Sequence, residues 1–356
     1  MTHSYELKTG RSAASTEEYP GGASRIWTDI DLDAEGKTFG YFRLPHSTHE
    51  HGAYWIPIPV AVVKNGVGPR VLLTAGNHGD EYEGQVMLMK LLRRLRAEDV
   101  QGQIIILPAV NAPAAYAGRR VSPLDGGNLN RLFPGNPDGS PTSKIAHFVE
   151  SVLLPKVDHV FEFHSGGASD DFLPSAHVYY CSDRAKFERS LHFLNIFGMP
   201  MSVVNKGLLG NDQKMYGACV RAGVTHMSTE LGGAGRVSVE ALRLAEQGLA
   251  RILFDIGVVR KPLTDVPAPP LSQLYTRLPT RKYVYAAASG VFEPYVELGD
   301  RVSAGQPAGA IHFPDTPWRE PEVAVFGDSG IVFSIRSIAQ TVLGDSLFML
   351  AVPWEE

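Results

Sequence analysis

Cysteine is scarce. The chain has two in 356 residues, Cys181 and Cys219, far apart and in no metal-type pair. This excludes a disulfide framework and a thiolate cluster, and both read as buried free thiols of a reducing compartment. Apolar runs are also short: none approaches the roughly 20 residues that a bilayer-crossing helix needs. Residues 1–19 are polar, without the apolar core of a secretory leader. No basic patch forms and the formal net charge is −5, which argues against a nucleic-acid partner. A cytoplasmic protein with a small-molecule partner is expected, with homo-oligomer formation left open. After Lys282 the chain has no lysine at all.

What is present is ordinary globular composition, 44% hydrophobic and 20% charged, in a chain long enough for two domains. Residues 1–25 read as a polar arm, and from 26 to 265 strand-like and helix-like stretches alternate. Tyr54–Val63 is strand material, and Asn65-Gly66 reads as a hairpin turn into a buried strand at Val71–Thr74. An amphipathic helix over Gln85–Arg96 and an apolar run at Gln103–Leu107 follow, so strand, helix, strand make a βαβ unit. Helices are expected over Thr142–Leu154 and, from a Ser238 cap, to Val259. Further buried strands are expected at Val157–Phe163 and Val224–Thr229.

A proline-rich linker, Pro262–Pro270, precedes a unit over 271–356 in which helical patterning stops. Two stretches there echo each other. Ser289-Gly290-Val291-Phe292 leads to Leu298-Gly299-Asp300, and Ser329-Gly330-Ile331-Val332 leads to Leu343-Gly344-Asp345. They predict a small two-halved β barrel-sandwich, similar to the biotinyl/lipoyl carrier fold. The missing lysines exclude the carrier role, since nothing there could be acylated.

Three strand ends carry the chemistry. The stretch T-A-G-N-H-G-D-E-Y-E-G (74–84) puts His78 and Glu81 where a strand hands over to a helix, at the edge where open α/β sheets hold ligands. An imidazole and a carboxylate three residues apart can face one point, as zinc requires. The plain alternative is a first helical turn whose Asp80, Glu81 and Glu83 only complement the macrodipole. A second strand ends in Glu162-Phe163-His164-Ser165-Gly166-Gly167, with Glu162 on the face of His164 and able to orient it. A third ends in Glu230-Leu231-Gly232-Gly233. Alone, each is as readily a structural hydrogen-bonder or a surface carboxylate; together they read as a site. Between them, 111–135 is a long polar loop with Arg119, Arg120 and Arg131, a length that points to function.

G-N-H-G-D-E (76–81), N-x-P (111–113), R-V-S-P-L-D-G-G-N-L-N-R-L-F-P-G (120–135), E-F-H-S-G-G (162–167) and T-E-L-G-G (229–233) occur in this order. The set resembles the succinylglutamate desuccinylase/aspartoacylase family, whose core is similar to zinc carboxypeptidases, and the resemblance spans nearly the whole chain. It implies an α/β fold, a mixed, mostly parallel sheet flanked by helices, plus a small C-terminal all-β barrel-sandwich-like domain over the active-site mouth. It also implies one Zn2+ per subunit held by His78, Glu81 and His164, with water in the open position. Glu230 matches the general base, and Asn130 with Arg131 the grip on a substrate α-carboxylate. Arg120 matches the arginine that polarises the scissile carbonyl, with adjacent Arg119 open as the alternative. Glu162 stands where the family commonly has Asp, a longer arm that still reaches the imidazole.

The implied activity is zinc-dependent removal of an acyl group from a small N-acyl amino acid. The long G-G-N-L-N-R-L-F-P-G form and the D-E-Y-E-G continuation are most similar to the branch that takes acetyl from a diamino acid. Asp125, Asp170 and Asp171 flank the loops that would meet the distal ammonium. Desuccinylase or aspartoacylase chemistry is the alternative within the family, and carboxypeptidase activity the rival reaction. A non-catalytic binding protein is the reading from another class; the intact set His78, Glu81, His164 and Glu230 speaks against it.

Overall fold

Residues 23–206, 211–270 and 273–356 are described by the computed structural model; the expected polar arm falls outside them, apart from residues 23–25. Strands β1 (Gly36–His46) and β2 (Tyr54–Asn65) form a long antiparallel ribbon. β3 (Arg70–Ala75), helix α1 (Tyr82–Arg94) and β4 (Gly102–Leu107) make the expected βαβ unit, with β3 and β4 parallel. Next come α2 (Ala112–Ala117), α3 (Pro141–Phe148) and β5 (His159–His164). β6 (Asp170–Phe172), β7 (Ser175–Tyr179), α4 (Arg184–Phe197) and β8 (Met201–Asn205) follow. α5 (Met215–Ala222), β9 (Thr225–Glu230) and α6 (Val239–Asp255) complete the front unit. Helix α3 ends before the expected Leu154: Val149–Leu153 widens into a π turn and Pro155 closes it in a 3-10 turn.

Side-chain alternation builds the layers. Val71 and Leu73 of β3 join Phe163, Leu194 and Ile252 on the face covered by α1, α4 and α6. Leu72 between them joins Ile105, Ile145 and Met215 on the opposite face. Both faces are covered, so the central strands read as near-continuous apolar runs. The order is β1-β2-β4-β3-β5-β9-β7-β8, with β4, β3, β5 and β9 parallel. From β3 the chain crosses to β4 on one side and returns to β5 on the other. That reversal opens a crevice at the carboxyl edge.

Asn65-Gly66 turns the chain but makes no hairpin between β2 and β3. β4 lies between them, antiparallel to β2 and parallel to β3. The crossover through α1 lays β4 on the side a hairpin partner would need, and β2 already pairs with β1.

The proline-rich linker does not end the sheet. β10 (Leu274–Arg277) pairs in parallel with β8. After it come β11 (Val284–Tyr285), β12 (Gly290–Pro294), β13 (Arg301–Val302) and β14 (Pro307–His312). β15 (Glu322–Val325), β16 (Gly330–Arg336), β17 (Gln340–Thr341) and β18 (Ser346–Pro353) close the chain. β10-β18-β16-β13 extend the main sheet, while β15-β14-β12-β17 form a second one. Phe292, Phe326 and Phe348 fill the cluster of this rear unit.

The sequence echo is real in the backbone: Gly299 and Gly344 have φ of +91° and +92°. Asp300 and Asp345 each accept a hydrogen bond of 2.9 Å from the N–H three residues earlier. Phe172, Met201 and Val203 of the front unit pack with Tyr275, Ile331 and Phe333 of the rear. The two units therefore share a sheet and an apolar cluster. Among the described residues no helix is long and apolar enough to cross a membrane. Both cysteines are free; Cys219 is buried as expected, Cys181 only half-buried.

Candidate active site

Gly76 (φ +68°) turns the chain off β3. Gly79 then lies so close to α2 that a Cβ would stand 1.9 Å from the Ala114 carbonyl oxygen. This path delivers His78 and Glu81 to the crevice. Glu81 is the N-cap of α1, yet its side chain makes no capping bond. An acidic N-cap usually accepts from the first-turn amides; this one does not, so more than the helix start holds the Glu81 carboxylate. Both its oxygens are spent on imidazoles, Oε1 at 2.6 Å from His78 Nδ1 and Oε2 at 2.7 Å from His164 Nδ1.

The far sides of the rings decide their tautomers. Nε2 of His78 lies 3.2 Å from Asn128 Oδ1, and Nε2 of His164 lies 2.8 Å from Glu162 Oε1. With an acceptor there, each Nε2 is the N–H donor and each Nδ1 keeps its lone pair for the centre. Two lone pairs facing carboxylate oxygens repel unless a cation stands among them. The donor set fits a metal ion: ligand atoms of His78, Glu81 and His164, all buried, lie within 4.8 Å of one another. Glu162 is itself held by Asn77 Nδ2 at 2.8 Å and His226 Nε2 at 3.0 Å.

Glu230 closes β9 and stands in register with His164 on β5. Its Oε2 is buried with no hydrogen-bond partner among the described residues. Burial, with the Glu81 charge adding to it, pushes its carboxyl up to about 8. A carboxylate so placed has high proton affinity, and its Oε2 is free to take a proton.

These side chains line a cavity of about 390 Å³. Arg120 lines it too, with Nη1 3.4 Å from Glu81 Oε1. Arg119 instead gives its carbonyl to the Gly79 N–H at 2.8 Å. Arg131 reaches the wall with Nη1 on the Asn130 carbonyl at 2.6 Å. Asn130 is largely engaged: its Oδ1 accepts from Met215 N at 2.8 Å, and its Nδ2 donates to Glu162 at 3.3 Å. The same Nδ2 lies 3.1 Å from His164 Nε2.

Sequence reasoning missed Lys214 at the start of α5, Arg277 on β10, and Tyr179 stacked on Tyr216 with centroids 3.8 Å apart. None stands in a motif, and only long-range pairing brings them to the cavity. Burial, then the charges of Arg131 and Arg277, pull the Lys214 ammonium down to about 8. Asp125 and Asp171 do not reach the cavity wall. Asp125 accepts from Thr142 N and Oγ1 at 2.8 and 2.7 Å, and Asp171 pairs with Arg236 at 3.3 Å.

An open α/β sheet carries a metal-capable trio and a buried acid at its carboxyl edge, the parts of a hydrolytic site. Residues 67–256 match the succinylglutamate desuccinylase/aspartoacylase catalytic domain. An N-alpha-acetyl-L-2,4-diaminobutyric acid deacetylase of Halomonas elongata is 40% identical over 330 residues, 92% of this chain and 95% of that protein. The crystal structure of a succinylglutamate desuccinylase/aspartoacylase from Rhodobacter sphaeroides has a TM-score of 0.86 at 38% identity, covering 93% of this chain and 100% of that one. The product-bound ectoine utilization protein EutE (DoeB) from Ruegeria pomeroyi also reaches 0.86, at 36% identity, covering 92% and 98%. The chain belongs to the succinylglutamate desuccinylase/aspartoacylase family, and it is a deacylase, a hydrolase of amide bonds.

Proposed function

We propose that this chain is a zinc-dependent deacetylase of a small N-acetylated amino acid, with N-alpha-acetyl-L-2,4-diaminobutyrate the favoured substrate. The sharing of Glu81 between two imidazoles whose other nitrogens are already engaged carries the reading. The Halomonas relative's named activity supports the acetyl group and the amino acid. His78, Glu81 and His164 would hold one zinc ion. Bound there, zinc supplies a Lewis acid that acidifies water and polarises a carbonyl.

The protein's own groups do the rest. Glu230 takes the proton of the attacking water and returns it to the leaving amine, which its raised proton affinity suits. Arg120 directs its guanidinium at the scissile carbonyl oxygen, where negative charge develops. Arg131 grips the α-carboxylate with a planar fork, and the Asn130 amide stands beside it as a second donor. The products are acetate and the free amino acid. Residues 26–265 would form the catalytic unit, and 271–356 a β unit over the mouth, since Arg277, Tyr283 and Met349 line the cavity.

One observation favours a second reading. Arg131, Lys214 and Arg277 line the cavity without a carboxylate partner among the described residues, a wall that suits a substrate with two carboxylates, as in desuccinylation. A screen of acetyl, succinyl and aspartyl amides with zinc present decides between them. Preference for the succinyl or aspartyl compounds would overturn the acetyl reading. A protein that neither binds zinc nor hydrolyses any of them would be a binding protein.

A further inference from the structure

We propose that Asp170 is the specificity residue that receives a cationic group at the end of the substrate's side chain. The proposal rests on the deacetylase reading above and deepens it. Asp170 opens β6, a three-residue strand paired with β16 of the rear unit, opposite Arg336. Asp170 and Phe172, two apart on one strand, share a face, and both line the cavity of His164 and Glu230. Asp171 between them turns away to Arg236.

The backbone holds Asp170 there unusually firmly. Its carbonyl would stand 2.1 Å from a Cβ at Gly166, and equally 2.1 Å from one at Gly233. These glycines follow His164 and Glu230, so both site motifs close on residue 170. Ala234 N donates to the same carbonyl at 2.9 Å, and Asp170 N donates to Gly166 O at 3.2 Å. From behind, Ser337 N donates to Ser169 O at 2.9 Å and Ser337 Oγ to Ala168 O at 2.6 Å.

The carboxylate accepts a hydrogen bond from Ser169 Oγ at 2.8 Å, with the Ser334 hydroxyl also close to it, and it has no ion pair among the described residues. Arg336, the nearest cation on the paired strand, is taken by Asp345 at 2.9 Å. Burial raises its carboxyl above the usual range, more than Ser169, Arg120 and Arg336 lower it. A half-buried carboxylate that is held rigidly and lacks a counterion gains most from an ammonium or guanidinium brought in by the ligand. A diamino acid supplies one; a dicarboxylic amino acid would meet repulsion.

The test compares N-alpha-acetyl-L-2,4-diaminobutyrate with N-acetyl-L-norvaline, which has methyl in place of ammonium. Wild type should prefer the first. Asp170→Asn should lose roughly 30- to 100-fold in kcat/KM on it and less than about threefold on the second. Calorimetry gives a readout without turnover: L-2,4-diaminobutyrate should bind wild type more tightly than L-norvaline, and Asp170→Asn should erase the difference. Equal losses on both substrates would make Asp170 merely structural, and no loss would remove it from the site; either overturns the proposal while the deacetylase reading stands. If wild type hydrolyses neither compound, that reading falls, and calorimetry still decides: equal affinities of the two amino acids overturn the role of Asp170.

Discussion

Oε1 of Glu162 lies 2.8 Å from Nε2 of His164, two residues further along the same strand. The contact sets which ring nitrogen faces Glu81, and it does so from a residue outside the metal-capable trio. Glu162→Ala should weaken zinc binding by roughly 10–100-fold, whereas Glu162→Asp should restore most of it. His164→Ala should abolish it. Zinc affinity measured against a competing chelator checks this, with thermal unfolding to show that the fold survives. Unchanged affinity in Glu162→Ala would separate the contact from the metal, and full occupancy in His164→Ala would remove His164 from the ligand set.

Glu230→Gln keeps the size of the side chain and removes the base. Turnover should fall by roughly 10²–10⁴-fold with zinc still bound. KM should move little, because proton transfer is expressed in the transition state. Near-normal turnover would mean that another group moves the proton.

In its proposed role Arg131 meets a substrate carboxylate that is charged before and during reaction. Arg131→Lys loses the bidentate fork and should raise KM more than it lowers kcat. The preference for a free α-carboxylate over its amide should also shrink. Should the variant keep the full preference, Lys214 and Arg277 are the cations to substitute next.

Asp125 should make the long loop sensitive to acid. Burial raises its carboxyl, but bonds from the Thr142 amide and hydroxyl outweigh that and lower it below the usual 3.8. A depressed carboxylate stabilises the fold above its unfolded value and loses that contribution as pH falls through the folded one. The melting temperature of wild type should therefore exceed that of Asp125→Asn at neutral pH, and the gap should narrow below about pH 4. A gap independent of pH would assign the effect to packing rather than charge.

Removal of residues 270–356 should leave a front unit that aggregates. It strips β10 from β8 and uncovers Phe172, Met201 and Val203, and a bare sheet edge beside an apolar patch invites association. Size-exclusion chromatography of the truncated chain reads the outcome; a stable monomer would show that the shared sheet is dispensable.

The three strand ends are legible in the sequence because each combines local signals. An apolar run, a functional residue and a glycine stand within a few positions at 71–84, 157–167 and 224–233. The sheet's parallel centre follows from the same alternation with helices. The order of β2, β4 and β3 does not, since Asn65-Gly66 looks like any hairpin turn and only the crossover through α1 shows where β4 goes. Nor do Lys214 and Arg277, which reach the cavity through contacts between distant segments; Asp170 is read with Asp125 and Asp171 as a candidate, and only the pairing of β6 with β16 singles it out. Proline density marks a linker at 262–270, and β10 beyond it still joins the front sheet, because hydrogen bonding to β8 depends on backbone, not composition.

Helix α1 begins at a residue that gives it no cap, because the Glu81 carboxylate is turned toward two imidazoles. The first amides of α1 thereby receive no bond from the Glu81 carboxylate. Occupancy of the centre and order at the start of this helix become one equilibrium: a cation that fixes Glu81 also fixes the turn from which α1 grows. Hydrogen–deuterium exchange at Glu83 and Gly84 should then slow on metal loading, making the helix a reporter of its own active site.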